Sequence, residues 1–187
     1  MDGYNTPNFK FALRDDLQDD KRFLPTRGEP KASGWDVRAA MSDRKTLIVK
    51  PFDLIKMPLG IRGYCPDGWW YDIKPRSSTF AKKNLHALYG TVDETYEGEL
   101  VFACQYLPPV SYREEWDDNS SWYEPEKWGD YCGCTELKIE FGDAVAQIIP
   151  RRRDEMVVEG ITNEEYNKLC KARASIRGAG GFGSTGK

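Results

Sequence analysis

Between Phe9 and about Val110 the β-branched and aromatic runs are short, and Gly, Pro, Asn or Asp interrupts them at close intervals. That punctuation leaves no room for sustained helical periodicity and predicts an all-β barrel or jelly roll. Thr46 to Lys50 and Glu99 to Ala103 are the clearest strands. The Pro66-Asp67-Gly68 turn predicts one hairpin between residues 58 and 78, and a second is expected around Asp93 to Gly98. Further on, Thr135 to Glu140 and Ala144 to Ile149 read as strands separated by a turn at Phe141-Gly142-Asp143. One short helix is expected from Asn163 to Ala172, capped by Thr162 and with Glu164 and Glu165 in its first turn.

The 187 residues suit a single domain spanning 1–187, and 40 % apolar residues with eight Phe, ten Tyr and six Trp can build its core. Residues 107–131 depart from the strand pattern, being rich in Pro, Trp and acids, and read as an insertion. Residues 177–187 are dominated by glycine and read as a flexible C-terminal arm. No apolar run approaches the ~20 residues of a membrane-spanning helix. The polar start from Met1 to Lys10 has no signal-peptide core, so a cytoplasmic location without membrane partners is expected.

Composition also excludes chemistries. His86 is the one histidine, which rules out sites needing two or more imidazoles. Any hydrolysis must therefore rest on carboxylates or on bound Mg²⁺. Five cysteines (65, 104, 132, 134 and 170) without a secretory leader predict reduced thiols, and Cys132-Gly-Cys134 lacks the second ligand pair of a zinc site. With 27 Lys+Arg against 30 Asp+Glu, the net charge of −3 argues against a nucleic-acid-binding face. The Arg151-Arg152-Arg153 cluster then reads as a solvated turn after a strand.

Five segments carry the chemistry. They are Ser33-Gly34-Trp35-Asp36-Val37-Arg38-Ala39, preceded by Pro25-Thr26-Arg27-Gly28; Pro75-Arg76-Ser77-Ser78; Gly90-Thr91-Val92-Asp93-Glu94-Thr95-Tyr96-Glu97-Gly98; Gly142-Asp143-Ala144-Val145-Ala146-Gln147; and residues 177–186, Arg177 to Gly186. The tail alone can bind phosphate, because its glycines let successive N–H groups face an anion while Ser184, Thr185 and Arg177 add donors. Phe182, alone among glycines, has no core to join and is suited to stacking on a base. Together and in this order, the five segments resemble those of the trimeric dUTP pyrophosphatase (dUTPase) family, over almost the whole chain.

The resemblance implies a homotrimer with shared active sites that hydrolyses dUTP to dUMP and pyrophosphate with Mg²⁺. In it, Asp93 is the general base for water attack on the α-phosphorus. Arg76, Ser77, Ser78 and Gln147 hold the triphosphate, and Asp36 holds Mg²⁺ through water, the ion being chelated mainly by substrate phosphates. Gly90 and Val92 lie in the segment reading the uracil edge, and Tyr96 packs under the deoxyribose. Arg177, Phe182, Gly183, Ser184 and Thr185 form a lid. Glu94 and Glu97 read as solvated, and Asp143 and His86 as structural.

Two features leave alternatives open. Most of the family carries Gly where Ser78 stands, and Ser-Ser also occurs in the related dCTP deaminases. The deaminases, however, carry their catalytic Glu ten positions after the aspartate, where this chain has Ala103. Another pyrimidine deoxynucleoside triphosphate, dCTP or a 5-substituted dUTP, would suit the same fold. The insertion, with Trp116, Trp122 and Trp128, would suit a protein partner.

Overall fold

Inward and outward residues alternate along the strands. In β4 (Leu54–Pro58) Ile55 and Met57 are buried, and in β9 (Val101–Tyr106) Phe102, Cys104 and Tyr106 are. That period of two gives each strand one core face, which is what the interrupted apolar runs demand. The computed structural model describes residues 6–88, 90–108 and 136–172. The described strands are β1 (Lys10–Leu13), β2 (Trp35–Arg38), β3 (Leu47–Val49), β4, β5 (Ile61–Tyr64), β6 (Trp69–Pro75), β7 (Leu85–Ala87), β8 (Gly90–Val92), β9, β10 (Leu137–Ile139) and β11 (Ala144–Arg152).

They form four antiparallel groups: β1 with β5, β10 with β3, β4-β9-β7, and the four-stranded sheet β2-β11-β6-β8. The fold is mostly β and jelly-roll-like, without one closed ladder among the described residues. Val37, Met57, Leu59, Ile61, Tyr71, Leu85, Phe102 and Ile139 fill its core. Each such side chain taken from water contributes about 1.5–3 kcal/mol. A smaller cluster of Leu17, Phe23 and Ala40 packs beside Phe141, whose ring centroid is 4.9 Å from that of Phe23.

Both expected turns form, but neither makes a hairpin. Trp69 N–H donates to Pro66 O (3.0 Å) with Gly68 at φ +75°, and Tyr96 N–H donates to Asp93 O (3.1 Å). The strands they join pair elsewhere: β5 with β1, β6 with β11 and β8, and β9 with β4 and β7. Turn chemistry specifies a change of direction, whereas the partner is set by which faces must be buried.

The expectation of a single helix also needs correction, because a second, α1 (Ser77–Lys83), follows β6 directly. Ser and Thr are weak helix formers, so the segment gives little local signal. It is held by tertiary contact instead, the buried Thr79 hydroxyl donating to Val145 O (2.6 Å). Asn84 closes it in the left-handed region (φ 50°), its N–H reaching Thr79 O and Phe80 O.

Contacts divide the chain into two units, Met1–Arg153 and Asp154–Lys187. In the second, α2 (Asn163–Ala172) occupies the expected span. Thr162 and Glu165 cap it reciprocally: Glu165 N–H donates to the Thr162 hydroxyl (3.2 Å) and Thr162 N–H to the Glu165 carboxylate (2.8 Å). Among the described residues no helix is long and apolar enough to cross a membrane. Cys65 and Cys104 are buried free thiols, both pushed up to about 11 chiefly by burial, which removes them as nucleophiles at neutral pH.

Candidate active site

The strand order β2-β11-β6 brings three segments distant in sequence side by side. In register, Gln147 on β11 stands between Asp36 on β2 and Lys74 on β6. Arg76, at the end of β6, reaches back across this row: its Nε lies 3.1 Å from Asp36 Oδ1 and its Nη1 donates to Ala144 O (3.2 Å). Gln147 Nε2 donates to Pro75 O (3.3 Å), which sets the direction of the carboxamide. A Cβ on the buried Gly34 would collide with the Gln147 carboxamide, so the glycine there is a packing requirement. Asp36 is fixed from its other side by a backbone pair with Thr26, and the Arg27 guanidinium lies 4.0 Å from the Trp35 ring centroid.

A β-bulge between Ala144 and Ala146 lets both Val145 and Ala146 be buried before Gln147 returns to the site. Ser77 and Ser78 form the first turn of α1 beside Arg76, with Ser77 exposed and Ser78 half-buried. Ser78 therefore occupies helical backbone, where a glycine's freedom is not needed. Asp143 pairs with Lys83 Nζ (2.9 Å) and accepts from Glu140 N–H (3.3 Å).

The third segment lies on the far side of β6. β8 pairs with β6 through Gly90↔Ile73 and Val92↔Tyr71, and its other side is the sheet edge among the described residues. The Val92 side chain is buried in the core. Asp93 is exposed just beyond the strand, and Tyr96 is 47 % exposed, its hydroxyl donating to Glu99 O (3.1 Å). By register Asp93 continues opposite Trp70, six residues along β6 from Arg76, or about 20 Å at the rise of a strand. The structure thus gathers Asp36, Arg76, Ser77, Ser78 and Gln147, and places Gly90, Val92, Asp93 and Tyr96 apart from them in the same chain.

Three sequence expectations change. Glu94 is not solvated: its carboxylate accepts from Gly68 N–H (3.1 Å) and from Arg153 Nη1 (2.7 Å). The arginine cluster is not a free turn, since Arg151 and Arg152 belong to β11 and Arg151 Nε pairs with Asp72 (3.0 Å). His86 is exposed on β7, edge-on to Phe80 at 5.0 Å between ring centroids, rather than packed in the core. Arg177, Phe182, Gly183, Ser184 and Thr185 lie outside the described residues, as do Cys132, Cys134 and residues 109–135 of the insertion region. Among the described residues no three His, Cys, Asp or Glu side chains gather as a metal cage.

No family model matches the chain. It is 28 % identical over 165 residues to the deoxyuridine 5'-triphosphate nucleotidohydrolase of Rhizobium etli, covering 87 % of this chain and 85 % of that one. The dUTPase of Staphylococcus bacteriophage 80alpha, solved with dUPNHPP, superposes with a TM-score of 0.67 at 21 % identity, over 96 % of this chain and 99 % of that one. A point mutant of the dUTPase from phage phi11 of S. aureus, whose structure concerns coordination of a structural Mg(II) ion, superposes with a TM-score of 0.59 at 16 % identity, over 82 % and 96 %.

Proposed function

We propose that the chain, 28 % identical over 165 residues to deoxyuridine 5'-triphosphate nucleotidohydrolases, is itself a dUTPase that hydrolyses dUTP to dUMP and pyrophosphate. The observation that carries this reading is the convergence of Asp36, Arg76 and Gln147 on three adjacent strands, with Ser77 and Ser78 alongside. A fork of guanidinium donors, a carboxamide and two hydroxyls is a donor set for a polyphosphate. Substrate would draw Arg76 from Asp36 toward phosphate oxygens, freeing the carboxylate.

One partly exposed carboxylate without a cage suits Mg²⁺ held mainly by the substrate's phosphates and reached by Asp36 through water, since the ion keeps much of its hydration. Bound so, it would neutralise charge on the triphosphate. Asp93 takes a proton from the water that attacks the α-phosphorus, and pyrophosphate departs from the opposite side. The edge position of β8 supports backbone reading of the uracil, and the exposed Tyr96 ring supports packing beneath the deoxyribose. The arm from Arg177 through Phe182, Gly183, Ser184 and Thr185 closes over base and phosphates.

The separation of Asp93 from Arg76 supports a homotrimer whose sites are shared between subunits. Position 103 is an alanine within β9, opposite Lys56, which supports hydrolysis over deamination. Asp93→Asn tests the reading: release of pyrophosphate from dUTP falls about 10²–10⁴-fold, while binding of a non-hydrolysable dUTP analogue persists. Turnover near the wild-type rate would refute it. The same assay across deoxynucleoside triphosphates checks the base, and preference for dCTP would reassign the substrate.

A further inference from the structure

Asp93 stands on an exposed turn, and a base on a turn works only if something fixes the turn. Val92 is held to β6 by its pairing with Tyr71, and the Asp93 carbonyl accepts from Tyr96 N–H within the turn, so these bonds tie the turn to the sheet only through its first residue. Glu94 adds a second tie from within the turn. Its side chain is 23 % exposed, and Oε2 accepts from both Gly68 N–H (3.1 Å) and Arg153 Nη1 (2.7 Å). Arg153 N–H in turn donates to Gly68 O (2.8 Å). The three bonds form a closed loop joining the turn after β8, the turn before β6 and the end of β11.

We propose that Glu94 and Arg153 are positioning residues that fix the Asp93 carboxylate for attack on the α-phosphorus, a role that rests on reading Asp93 as the base. An ion pair this exposed adds little to global stability. Geometry at the reacting centre is far more sensitive, a misplacement of about 1 Å costing on the order of 10²-fold in rate. The loop's effect therefore falls on kcat. Arg151 and Asp72, paired at 3.0 Å nearby on β11 and β6, supply a matched control, because that pair does not touch the Asp93 turn.

The experiment uses the full chain and pyrophosphate release from dUTP with Mg²⁺. Glu94→Ala and Arg153→Ala each lower kcat by roughly tenfold or more, with KM and the affinity for a non-hydrolysable analogue nearly unchanged. The double variant is no slower than the slower single one, because both break the same loop. Arg153→Lys, which keeps a cation, recovers part of the loss, and Arg151→Ala leaves kcat at the wild-type value. Glu94→Gln and Arg153→Lys carry the same kcat comparison if the alanine variants do not fold. Wild-type kcat in the Glu94 and Arg153 variants, an equal loss in Arg151→Ala, or a loss confined to KM overturns the proposal. Turnover by Asp93→Asn overturns the underlying assignment of the base, a separate result.

Discussion

Tyr71 sets the packing under the strand that leads to Asp93, and its hydroxyl is unpartnered among the described residues. The residue is fully buried, its Oη has no hydrogen-bond partner among the described residues, and burial pushes the phenol's pKa upward. A Cβ on Gly63 would strike that oxygen, with Tyr71 Cζ and Phe11 Cε1 each at 3.1 Å, so the glycine makes room for the phenol. An unsatisfied buried hydroxyl costs free energy that a hydrogen in its place does not. Tyr71→Phe is therefore expected to raise stability by up to about 1 kcal/mol, and Gly63→Ala to lower it by about 1–3 kcal/mol. Combined, they should cost less than the sum, because losing the hydroxyl removes the worst collision. Urea unfolding of the four proteins measures this, and strict additivity would contradict it. The second glycine requirement, Gly34 beneath Gln147, lies in the site itself. The sequence marks Gly34 by its place in a motif and leaves Gly63 unmarked, since its reason is a contact with a residue on another strand.

At the scale of elements, local chemistry decides α2 and tertiary contact decides α1. The Thr162–Glu165 box is written in sequence as a cap followed three residues later by a carboxylate, and the helix begins where that pattern places it. Donation from Thr162 holds the Glu165 carboxyl below the ordinary Glu range. A group depressed in the folded state stabilises fully above its unfolded value, and that contribution is lost as pH falls through the lowered one. Thr162→Ala should cost about 1 kcal/mol of local helix stability and shrink this acid-side loss. Faster amide exchange at Glu165 and Tyr166 reports the first effect, and its pH dependence the second. No comparable signal announces α1, whose anchor is Thr79 on Val145. The turns at Gly68 and after Asp93 were legible for the same local reason, but strand partners were not. Residues 66–68 read alike whether β6 pairs with β5 or, as found, with β11 and β8. The proposed site residues were legible as motif members. The partners that orient them, Thr26 for Asp36 and Arg153 for Glu94 in the Asp93 turn, depend on pairings across 10 and 59 positions and leave no spacing to read.

For the whole molecule, the decisive geometry is the distance along β6 that separates Arg76, the proposed phosphate-binding group, from Asp93, the proposed base. Arg76 lies just past one end of β6 and Asp93 opposite its other end, about 20 Å apart along the backbone, which sits badly with both acting directly at one α-phosphorus within a single chain. A site assembled from two copies removes the conflict, and it makes the defects of two inactive variants complementary. In a mixed trimer, a site whose Arg76 comes from an Asp93→Asn chain and whose Asp93 comes from an Arg76→Ala chain has both groups intact. Random assembly from equal amounts places the two intact residues together in about one quarter of sites, because each position is filled independently with even odds. Each variant alone should be nearly inactive, whereas unfolding and refolding them together should restore about a quarter of wild-type pyrophosphate release. Mixing without refolding serves as the control, since intact trimers have no exchanged subunits. Failure of the refolded mixture to exceed its parents, with mixed trimers demonstrated by differently tagged chains, would place both groups in a site within one chain.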